Sequence, residues 1–255
     1  MTDTVGLVLP AYRPDVEALA DYVDAIREAI DPVAIRIEVD AASERVRSEL
    51  DTLPATVNTV PYRRGKGAAI TEGFEALGTD VLAFADADGS TPASSLADVI
   101  SPVTSGTVDL AAGSRRHPRS TVVSHQTWAR RFMGDGFAWL ARRLLEVPLH
   151  DYQCGAKAIS AAGWATVRDH LYEPGFAWDV ELVAIAGALD LSVGEVAIEW
   201  HDRPGSTVAP VGDAVRLGQA LFRSRHRAKR LRDDRLHTAV AAARNDPTAL
   251  VDRTE

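Results

Sequence analysis

Short apolar segments alternate with amphipathic segments along the first 114 residues. The apolar segments have the length and composition of strands, and they cover residues 4–9, 34–40, 56–61, 81–85 and 108–112. The spacing of apolar residues between them predicts helices over residues 14–30, 43–50, 65–77 and 93–103. Short apolar strands separated by helices are typical of a parallel sheet that is covered on both faces. The pattern therefore predicts an α/β fold.

The second half of the chain is predicted to be richer in helix. Helices are expected over residues 128–145, 161–170, 177–189 and 213–236, with one further strand over residues 193–200. The helix at 128–145 is apolar around much of its circumference, which predicts a buried or interfacial element. Residues 115–124 are basic and without periodicity, and we interpret them as a mobile loop. We expect one domain over residues 1–212, followed by a C-terminal helix and tail over residues 213–255.

Charged side chains follow several of the predicted strands. Asp40, Asp86, Asp88 and Arg115 all stand at predicted strand ends. Ligands of open α/β sheets bind outside the carboxyl ends of the strands. Their shared placement predicts that these residues contribute to one site.

The segment Asp86-Ala87-Asp88-Gly89-Ser90 is the strongest chemical signal in the chain. Two carboxylates one residue apart at a strand-to-loop bend can reach one point. Hard oxygen ligands of this kind suit Mg²⁺ or Mn²⁺, with substrate phosphates and water completing the coordination. The alternative interpretation is a strand end followed by an Asp-Gly turn.

Charge is distributed unevenly. Residues 216–232 contain seven Lys/Arg and no acid, so this stretch carries a charge of +7. Because the net charge of the chain is −8, the rest of it carries −15. Such a helix fits either an anionic membrane surface or a packed helix with a solvated basic face. Aromatic stacking residues are lacking there, so no nucleic-acid partner is expected. The single cysteine, Cys154, excludes a disulfide framework and fits a cytosolic setting.

Neither a membrane-spanning segment nor a leader is predicted. No window approaches about 18 uninterrupted apolar residues, and the N-terminus enters a strand without the basic start of a signal peptide. The sequence alone therefore leads us to expect a protein of the cytoplasm.

Eight segments, in order, resemble the family-2 glycosyltransferases, specifically the dolichyl-phosphate (polyprenyl-phosphate) sugar synthases. The first four are Leu9-Pro10-Ala11-Tyr12, Arg64-Gly65-Lys66-Gly67-Ala68-Ala69-Ile70, Phe84-Ala85-Asp86-Ala87-Asp88-Gly89-Ser90 and Ala112-Gly113-Ser114-Arg115. The others are Asp151-Tyr152-Gln153-Cys154-Gly155-Ala156-Lys157, Trp178-Asp179-Val180-Glu181-Leu182, Glu195-Val196-Ala197-Ile198-Glu199-Trp200 and Arg203-Pro204-Gly205-Ser206. The fifth and the last two look most like the dolichyl-phosphate glucosyltransferase branch, and the mannosyl branch stays open.

This resemblance implies a GT-A fold and the transfer of a hexose from UDP-glucose or GDP-mannose to dolichyl or polyprenyl phosphate, with inversion at the anomeric carbon. It also implies residue roles. Pro10 and Tyr12 would flank the nucleotide base, and Asp40 would hold the base or ribose. Asp86, the Ala87 backbone and Asp88 would bind the diphosphate and its Mg²⁺ or Mn²⁺. Arg115 and Arg203 would neutralise the donor or acceptor phosphates.

The chain departs from the family pattern at two positions. Asp40-Ala41-Ala42-Ser43 stands where the family usually has Asp-Asp-Gly-Ser, which puts the base or ribose contact in doubt. Thr207 stands where a lysine is common, which removes one phosphate-binding cation.

A phosphate nucleophile is already anionic, so the reaction needs charge neutralisation and alignment more than a strong base. Arginines suit phosphate, and Arg115, Arg116 and Arg119, with Arg130 and Arg131 beyond them, are the candidate acceptor site. Asp151 is interpreted either as a catalytic or acceptor-positioning residue or as a turn cap. Lys66 is interpreted either as a donor contact or as part of a simple turn at a helix N-terminus.

Three functions follow from these patterns. The leading one is a metal-dependent hexosyltransferase acting on polyprenyl phosphate, peripheral on the cytoplasmic face of a membrane, with Asp88, Asp151 and Arg115 as catalytic residues. The second is a family-2 transferase acting on another lipid-linked or hydroxyl acceptor, for which Asp151 would be an indispensable base. The third is a non-catalytic subunit of a membrane glycosylation complex.

Overall fold

The computed structural model describes residues 3–123, 128–201, 210–232 and 248–253, without the side chains of residues 128–135 and 210–215. Seven strands form the central sheet in the order β3-β2-β1-β4-β7-β5-β8. These strands are β1 (Val5–Tyr12), β2 (Ala34–Asp40), β3 (Thr56–Val60), β4 (Val81–Ala85), β5 (Leu110–Ser114), β7 (Ala156–Ser160) and β8 (Val193–Ala197). Neighbouring strands are parallel except for β7, which runs antiparallel to β4 and β5. A second sheet pairs β6 (Thr121–Val123) with β9 (Glu199–His201).

In the described part of the chain, eight α-helices surround the sheet. They are α1 (Val16–Ile30), α2 (Glu44–Leu50), α3 (Lys66–Glu75), α4 (Ala93–Thr104), α5 (Trp128–Leu144), α6 (Ala161–Val167), α7 (Trp178–Ala188) and α8 (Pro210–Leu231). Successive strand residues enter opposite cores: Leu7 packs with α1, α2 and α4, whereas Val8 packs with α3 and α5 to α8. The predicted α/β fold, a mostly parallel sheet with helices on both faces, is confirmed.

The prediction missed β7 and the small sheet. β7 inserts between β4 and β5, and its sequence is interrupted by Lys157, so it lacks the continuous apolar run that marks the other buried strands. The expectation of a loop without regular structure over residues 115–124 is wrong at its end, because the β-branched residues Thr121–Val123 form β6. The strand expected over residues 193–200 is divided between β8 and β9.

Helix α8 packs against α7 and α5. Leu221, in its middle, is wholly buried in the core. In its last part, Arg227 pairs with Glu181, while Lys229 and Arg232 pair with Glu146. The end of the basic segment is therefore bound to the protein itself, as the packed-helix interpretation expects. None of the helices in the described ranges has the length and hydropathy needed to cross a membrane.

Candidate active site

The carboxyl ends of the parallel strands bring the predicted site residues to one edge of the sheet. Tyr12 at the end of β1 lies opposite Asp40 at the end of β2. Asp86 directly follows β4, and Arg115 directly follows β5. The register thus places side chains that are far apart in sequence at the carboxyl edge of the sheet, where open α/β sheets have their ligand cleft.

The turn after β4 presents two carboxylates. The backbone N–H of Asp86 donates to the Gly155 carbonyl at 2.8 Å, which joins this turn to the segment before β7. Gly89 adopts φ +66°, a conformation that glycine tolerates, and Asp88 Oδ1 accepts from the backbone N–H of Ser90 at 2.9 Å. Asp88 is exposed and the Asp86 side chain is 43% exposed. The turn therefore holds the Asp86 backbone and the Asp88 carboxylate in place, and both side chains are accessible to solvent.

Gly155 provides the space that the Asp86 carboxylate occupies. A Cβ atom at Gly155 would lie 1.9 Å from Asp86 Oδ2, well inside contact distance. Any side chain there would displace the carboxylate. The glycine of the Gln153-Cys154-Gly155 stretch is thus explained by the position of Asp86.

A line of alternating charges runs inward from Asp86. Lys66 Nζ lies 2.8 Å from Asp86 Oδ1 and 3.0 Å from Asp179 Oδ2. Lys157 Nζ lies 2.9 Å from Asp179 Oδ1 and also donates to the carbonyls of Tyr152 and Cys154. The segment that carries Asp151 is therefore tied to the Asp86 turn through buried ion pairs.

These ion pairs determine how the buried groups ionise. Burial alone would lower the pKa of Lys66, but Asp179 and Asp86 outweigh it and hold that pKa above its ordinary value. Burial would raise the pKa of Asp179, but Lys157 and Lys66 hold it below its usual range. Partial burial raises the pKa of Asp86, the Lys66 charge opposes this rise, and the Asp88 charge adds to it. Lys66 thus remains a cation at the inner end of the cleft.

Asp151 forms the second centre of charge. Its Oδ2 accepts from Arg115 Nε at 2.6 Å, and its Oδ1 accepts from Arg115 Nη2 at 3.0 Å. Arg116 Nη1 lies 3.4 Å from Oδ1, and the backbone N–H of Arg115 donates to Oδ2. The Asp151 side chain is 1% exposed. Asp151 therefore holds two of the predicted acceptor arginines, Arg115 by a bidentate ion pair and Arg116 by a single, longer contact.

The same contacts make Asp151 a weak base. Burial would raise the pKa of its carboxyl group, but the charge and hydrogen bonds of Arg115, with Arg116, hold that pKa well below its usual range. Burial would lower the pKa of Arg115, and Asp151 holds it above its ordinary value. An aspartate that stays ionised and paired is suited to positioning cations rather than to abstracting a proton.

Glu195 on β8 fixes the position of Asp151. Its Oε1 accepts from the backbone N–H groups of His150 at 2.7 Å and of Asp151 at 2.9 Å. Its Oε2 lies 2.6 Å from His150 Nδ1. Glu195 appeared in the sequence only as part of a family motif, and the structure assigns it this supporting contact.

The Asp40 carboxylate is occupied by the protein itself. Its Oδ1 accepts from Arg64 Nε at 2.8 Å, and its Oδ2 accepts from the backbone N–H of Gly65 at 2.8 Å. Arg64 also pairs with Glu38 and Glu72. Asp40 therefore supports the turn before α3, and its contact with a base or ribose stays a prediction. Tyr12 lies nearby, with the Arg63 guanidinium 4.3 Å from its ring centroid.

The glycines flanking Lys66 serve close packing. Gly65 has φ +100°, and a Cβ there would lie 2.4 Å from the Pro174 carbonyl oxygen. A Cβ at Gly67 would lie 2.5 Å from Trp178 Cβ. The Pro174 carbonyl also accepts from the backbone N–H of Ala68. Gly65 therefore admits the chain at Pro174, and Gly67 admits Trp178.

The other predicted residues vary in how much the structure describes. Pro10 and Ala87 are half-buried at the same strand ends, and Arg119 is exposed on the loop after β5. Arg203 and Thr207 lie outside the described residues. Arg130 and Arg131 lie in α5 with undescribed side chains. Their predicted roles stay predictions.

Two contributors were missed by the sequence analysis. Lys157 and Arg64 are buried cations that organise the cleft, with side chains 1% and 3% exposed. Lys157 carried a signal, since it is a lysine within the short apolar stretch of β7. Arg64 carried no sequence signal beyond its motif, because its partners Glu38 and Asp40 lie on β2, more than 20 residues earlier in the chain.

We expect the thiol of Cys154 to be unreactive in the folded protein. Cys154 is wholly buried, and burial raises the pKa of its thiol to about 12. At about pH 8 the thiolate fraction should be about a thousandfold below that of an ordinary cysteine. Ellman's reagent should therefore react slowly with the native protein and at the ordinary rate in urea. Rates within tenfold of each other in the two states would contradict this packing.

Asp86 and Asp88 fit a divalent cation as part of its coordination. No group of three or more His, Cys, Asp or Glu side chains that could hold a metal ion occurs among the described residues. The carboxylate oxygens of Asp86 and Asp88 are hard ligands, and the Asp86 carboxylate lies against Gly155. Mg²⁺ and Mn²⁺ are commonly held by one or two such carboxylates, with substrate phosphates completing the coordination.

Two relatives illustrate what the chain is similar to in sequence. It is 28% identical over 235 residues to glycosyltransferase AglD of Haloferax volcanii, a match that covers 86% of this chain and 36% of that protein. It is 30% identical over 209 residues to the dolichyl-phosphate beta-glucosyltransferase of Mus musculus, covering 78% of this chain and 60% of that protein. The chain thus spans between about a third and three fifths of the length of these relatives.

Solved structures share the fold. Glucosyl-3-phosphoglycerate synthase of Mycobacterium tuberculosis, in complex with UDP, matches with a TM-score of 0.66 at 16% identity, covering 88% of this chain and 80% of that one. Mannosyl-3-phosphoglycerate synthase of Rubrobacter xylanophilus matches with a TM-score of 0.65 at 16% identity, covering 99% and 80%. A family model described as glycosyl transferase family 2 matches residues 7–161, which include the Asp86–Asp88 turn and Asp151. The chain belongs to glycosyl transferase family 2.

Proposed function

We propose that this chain is an inverting glycosyltransferase that moves a hexose, with glucose favoured, from a nucleotide sugar to dolichyl or polyprenyl phosphate, for protein or cell-surface glycosylation. The observation that carries the proposal is the Asp151–Arg115 ion pair. Relatives named dolichyl-phosphate beta-glucosyltransferase, at 23–31% identity, support the same acceptor and sugar.

The ion pair favours an acceptor that arrives already ionised. A hydroxyl acceptor needs a base to remove its proton, and Asp151 is buried, paired and of depressed pKa. A phosphate monoester needs no such base, but its charge must be neutralised beside a donor that is also anionic. Arg115 and Arg116, held by Asp151, supply that positive charge. The hydroxyl-acceptor alternative is therefore the less supported one.

The donor would lie between Tyr12 and the Asp86 turn. The ring of Tyr12 would contact the base, with Pro10 and Asp40 beside it. Lys66 would approach the diphosphate, because its ammonium group is already held at Asp86 Oδ1. Arg203 would add a further cation.

Mg²⁺ or Mn²⁺, held by Asp86 and Asp88, would act as a Lewis acid that stabilises the departing nucleoside diphosphate. Crystals of the Mycobacterium tuberculosis synthase with Mn²⁺ and UDP support a divalent ion in this fold. The protein's own contribution is to hold the Asp86 backbone through Gly155 and the Asp88 carboxylate through Ser90, and to keep Lys66 charged. These contacts orient the donor before transfer.

The acceptor would approach from the loop after β5. Arg115 and Arg116 lie nearest to Asp151, whereas Arg119 is exposed further along the loop. Arg131 would extend the same positive surface onto α5. The enzyme would act as a peripheral protein on the cytoplasmic face of a membrane, where a lipid acceptor presents its phosphate.

The test is transfer of labelled sugar from UDP-glucose and GDP-mannose, in parallel, to dolichyl phosphate with Mg²⁺ or Mn²⁺. We expect lipid-extractable label from UDP-glucose, and we expect Asp88→Asn to lower the rate by about 10²–10³-fold, since it weakens a metal ligand and its charge. Label from GDP-mannose alone would reassign the sugar. Wild-type rates in Asp88→Asn would contradict the site, and absence of label from both donors would contradict the function.

The pH dependence of the rate should follow the acceptor rather than Asp151. Because the pKa of Asp151 lies below its usual range, this group stays ionised between about pH 5 and 8 and contributes no change there. The second ionisation of a phosphate monoester lies near pH 6, so kcat/KM should fall below about pH 6 as the dianion is lost. A flat profile with dolichyl phosphate down to about pH 5 would contradict attack by the dianion.

A further inference from the structure

The outward face of α5 carries an exposed aromatic ring beside two arginines. Phe137, Leu140 and Leu144 face inward and pack against the core. On the other side, Trp139 is 60% exposed, and the Arg143 guanidinium lies 5.3 Å from its ring centroid. Arg142, on the same turn, is also exposed. The exposed indole and the two arginines thus form one amphipathic surface patch on α5.

This face borders an open groove that leads to the candidate active site. The groove has a volume of about 560 Å³, and its walls include Arg116, Trp139, Arg142, Arg143, Pro148 and His150. Among the residues whose side chains the structure describes, the charged groups that line it are arginines and His150. Arg116 also contacts Asp151, so the groove is continuous with the acceptor arginines.

The combination of groups fits the surface of a lipid bilayer better than a dissolved anion. Arginines alone would attract a lipid phosphate and a dissolved phosphate alike. An exposed indole adds an amphipathic ring of the kind that occupies the headgroup level of membranes. The basic groove beside that ring adds charge complementarity to an anionic leaflet.

We propose that the face formed by Trp139, Arg142 and Arg143, hereafter the α5 face, docks the protein onto the anionic headgroups of a membrane leaflet. Trp139 enters the interface, and the two arginines contact lipid phosphates. This inference rests on the proposed lipid acceptor, because docking here would place the mouth of the groove at the bilayer. It also assigns the main membrane contact to α5 rather than to α8, several of whose cations pair within the protein.

The experiment is flotation of the full chain with vesicles of phosphatidylcholine, with and without phosphatidylglycerol, and without any polyprenyl phosphate. We expect binding only with phosphatidylglycerol. Arg142→Gln/Arg143→Gln should weaken it about 25-fold, since each surface cation contributes about a fivefold factor. Trp139→Ala should weaken it as well.

The matched control is Arg216→Gln/Arg223→Gln, which removes two exposed arginines from α8. Binding that is lost in this control and kept in the α5 variant would overturn the proposal in favour of α8. Equal loss in both pairs would also overturn it, because attraction would then reflect net charge alone. No binding to phosphatidylglycerol vesicles would overturn it directly.

A second readout separates docking from catalysis. The α5 variants should transfer sugar to a short, water-soluble isoprenyl phosphate at the wild-type rate, while transfer to acceptor embedded in vesicles falls. Equal loss with both acceptors would mean that the α5 face acts in catalysis and not in docking. If no acceptor is glycosylated but flotation behaves as expected, the proposed function fails and the docking surface stands.

Discussion

Replacement of Asp151 by asparagine should lower kcat for sugar transfer by about 10²–10³-fold. The asparagine keeps the size of the side chain but removes the charge that holds Arg115 by two hydrogen bonds. Arg115 and Arg116 would then lose their alignment toward the acceptor phosphate. Initial rates with dolichyl phosphate, measured beside binding of the nucleoside diphosphate, would report the effect.

Comparing kcat with nucleoside diphosphate affinity distinguishes misaligned acceptor arginines from a general disruption of the fold. Nucleoside diphosphate affinity should change little, because Asp151 contacts the acceptor arginines rather than Lys66. Asp190→Asn is the control, since Asp190 is an exposed aspartate that also pairs with an arginine. Asp151→Asn protein with a native circular dichroism spectrum and a kcat within threefold of wild type would contradict the assigned role.

Replacement of Lys157 by methionine should lower the free energy of unfolding by about 3–5 kcal/mol. The Lys157 side chain is 1% exposed and pairs with Asp179, which is itself buried. Without it, Lys66 is the cation that still pairs with Asp179 among the described residues, and the carbonyls of Tyr152 and Cys154 lose a donor. Urea unfolding followed by circular dichroism would measure the change.

Lys229→Met provides a matched comparison. Lys229 also forms an ion pair, with Glu146, but its side chain is 27% exposed and that of Glu146 is 39% exposed. Pairs in contact with water contribute about 0–1 kcal/mol. If both substitutions cost the same, the buried line of charges would not be stabilising the Asp151 segment.

The sheet was largely predictable because each parallel strand is a short apolar run between helices. β4 is buried along its whole length and was located from sequence to the residue. β7 was not, because it runs antiparallel and contains Lys157, whose charge is balanced by a residue from a distant helix. Local pattern cannot reveal a strand whose polar residue is compensated at long range.

The candidate site was predictable where backbone geometry alone places it. Asp86, Asp88 and Arg115 were assigned to one edge because parallel strands end together. Their partners were not predictable: Lys66 and Asp179 meet across 113 residues of sequence. Such pairings depend on how helices pack, which a single sequence does not express.

Motif resemblance also concealed what some residues do. Asp40 matched a donor-binding position, yet its two oxygens hold Arg64 and Gly65. Gly65 and Gly67 belong to the motif around Lys66, yet a Cβ atom at these positions would meet Pro174 and Trp178. A motif identifies candidate functional residues, whereas the structure shows which neighbouring groups each of them contacts.

We propose a phosphate anion as the acceptor, because Asp151 is held as an ionised partner of Arg115 and is poorly suited to act as a base. The most direct measurement compares dolichyl phosphate with dolichol, the same lipid without its phosphate, as acceptors of labelled glucose from UDP-glucose. We expect lipid-extractable label with dolichyl phosphate and none above background with dolichol. Comparable label in dolichol would contradict it.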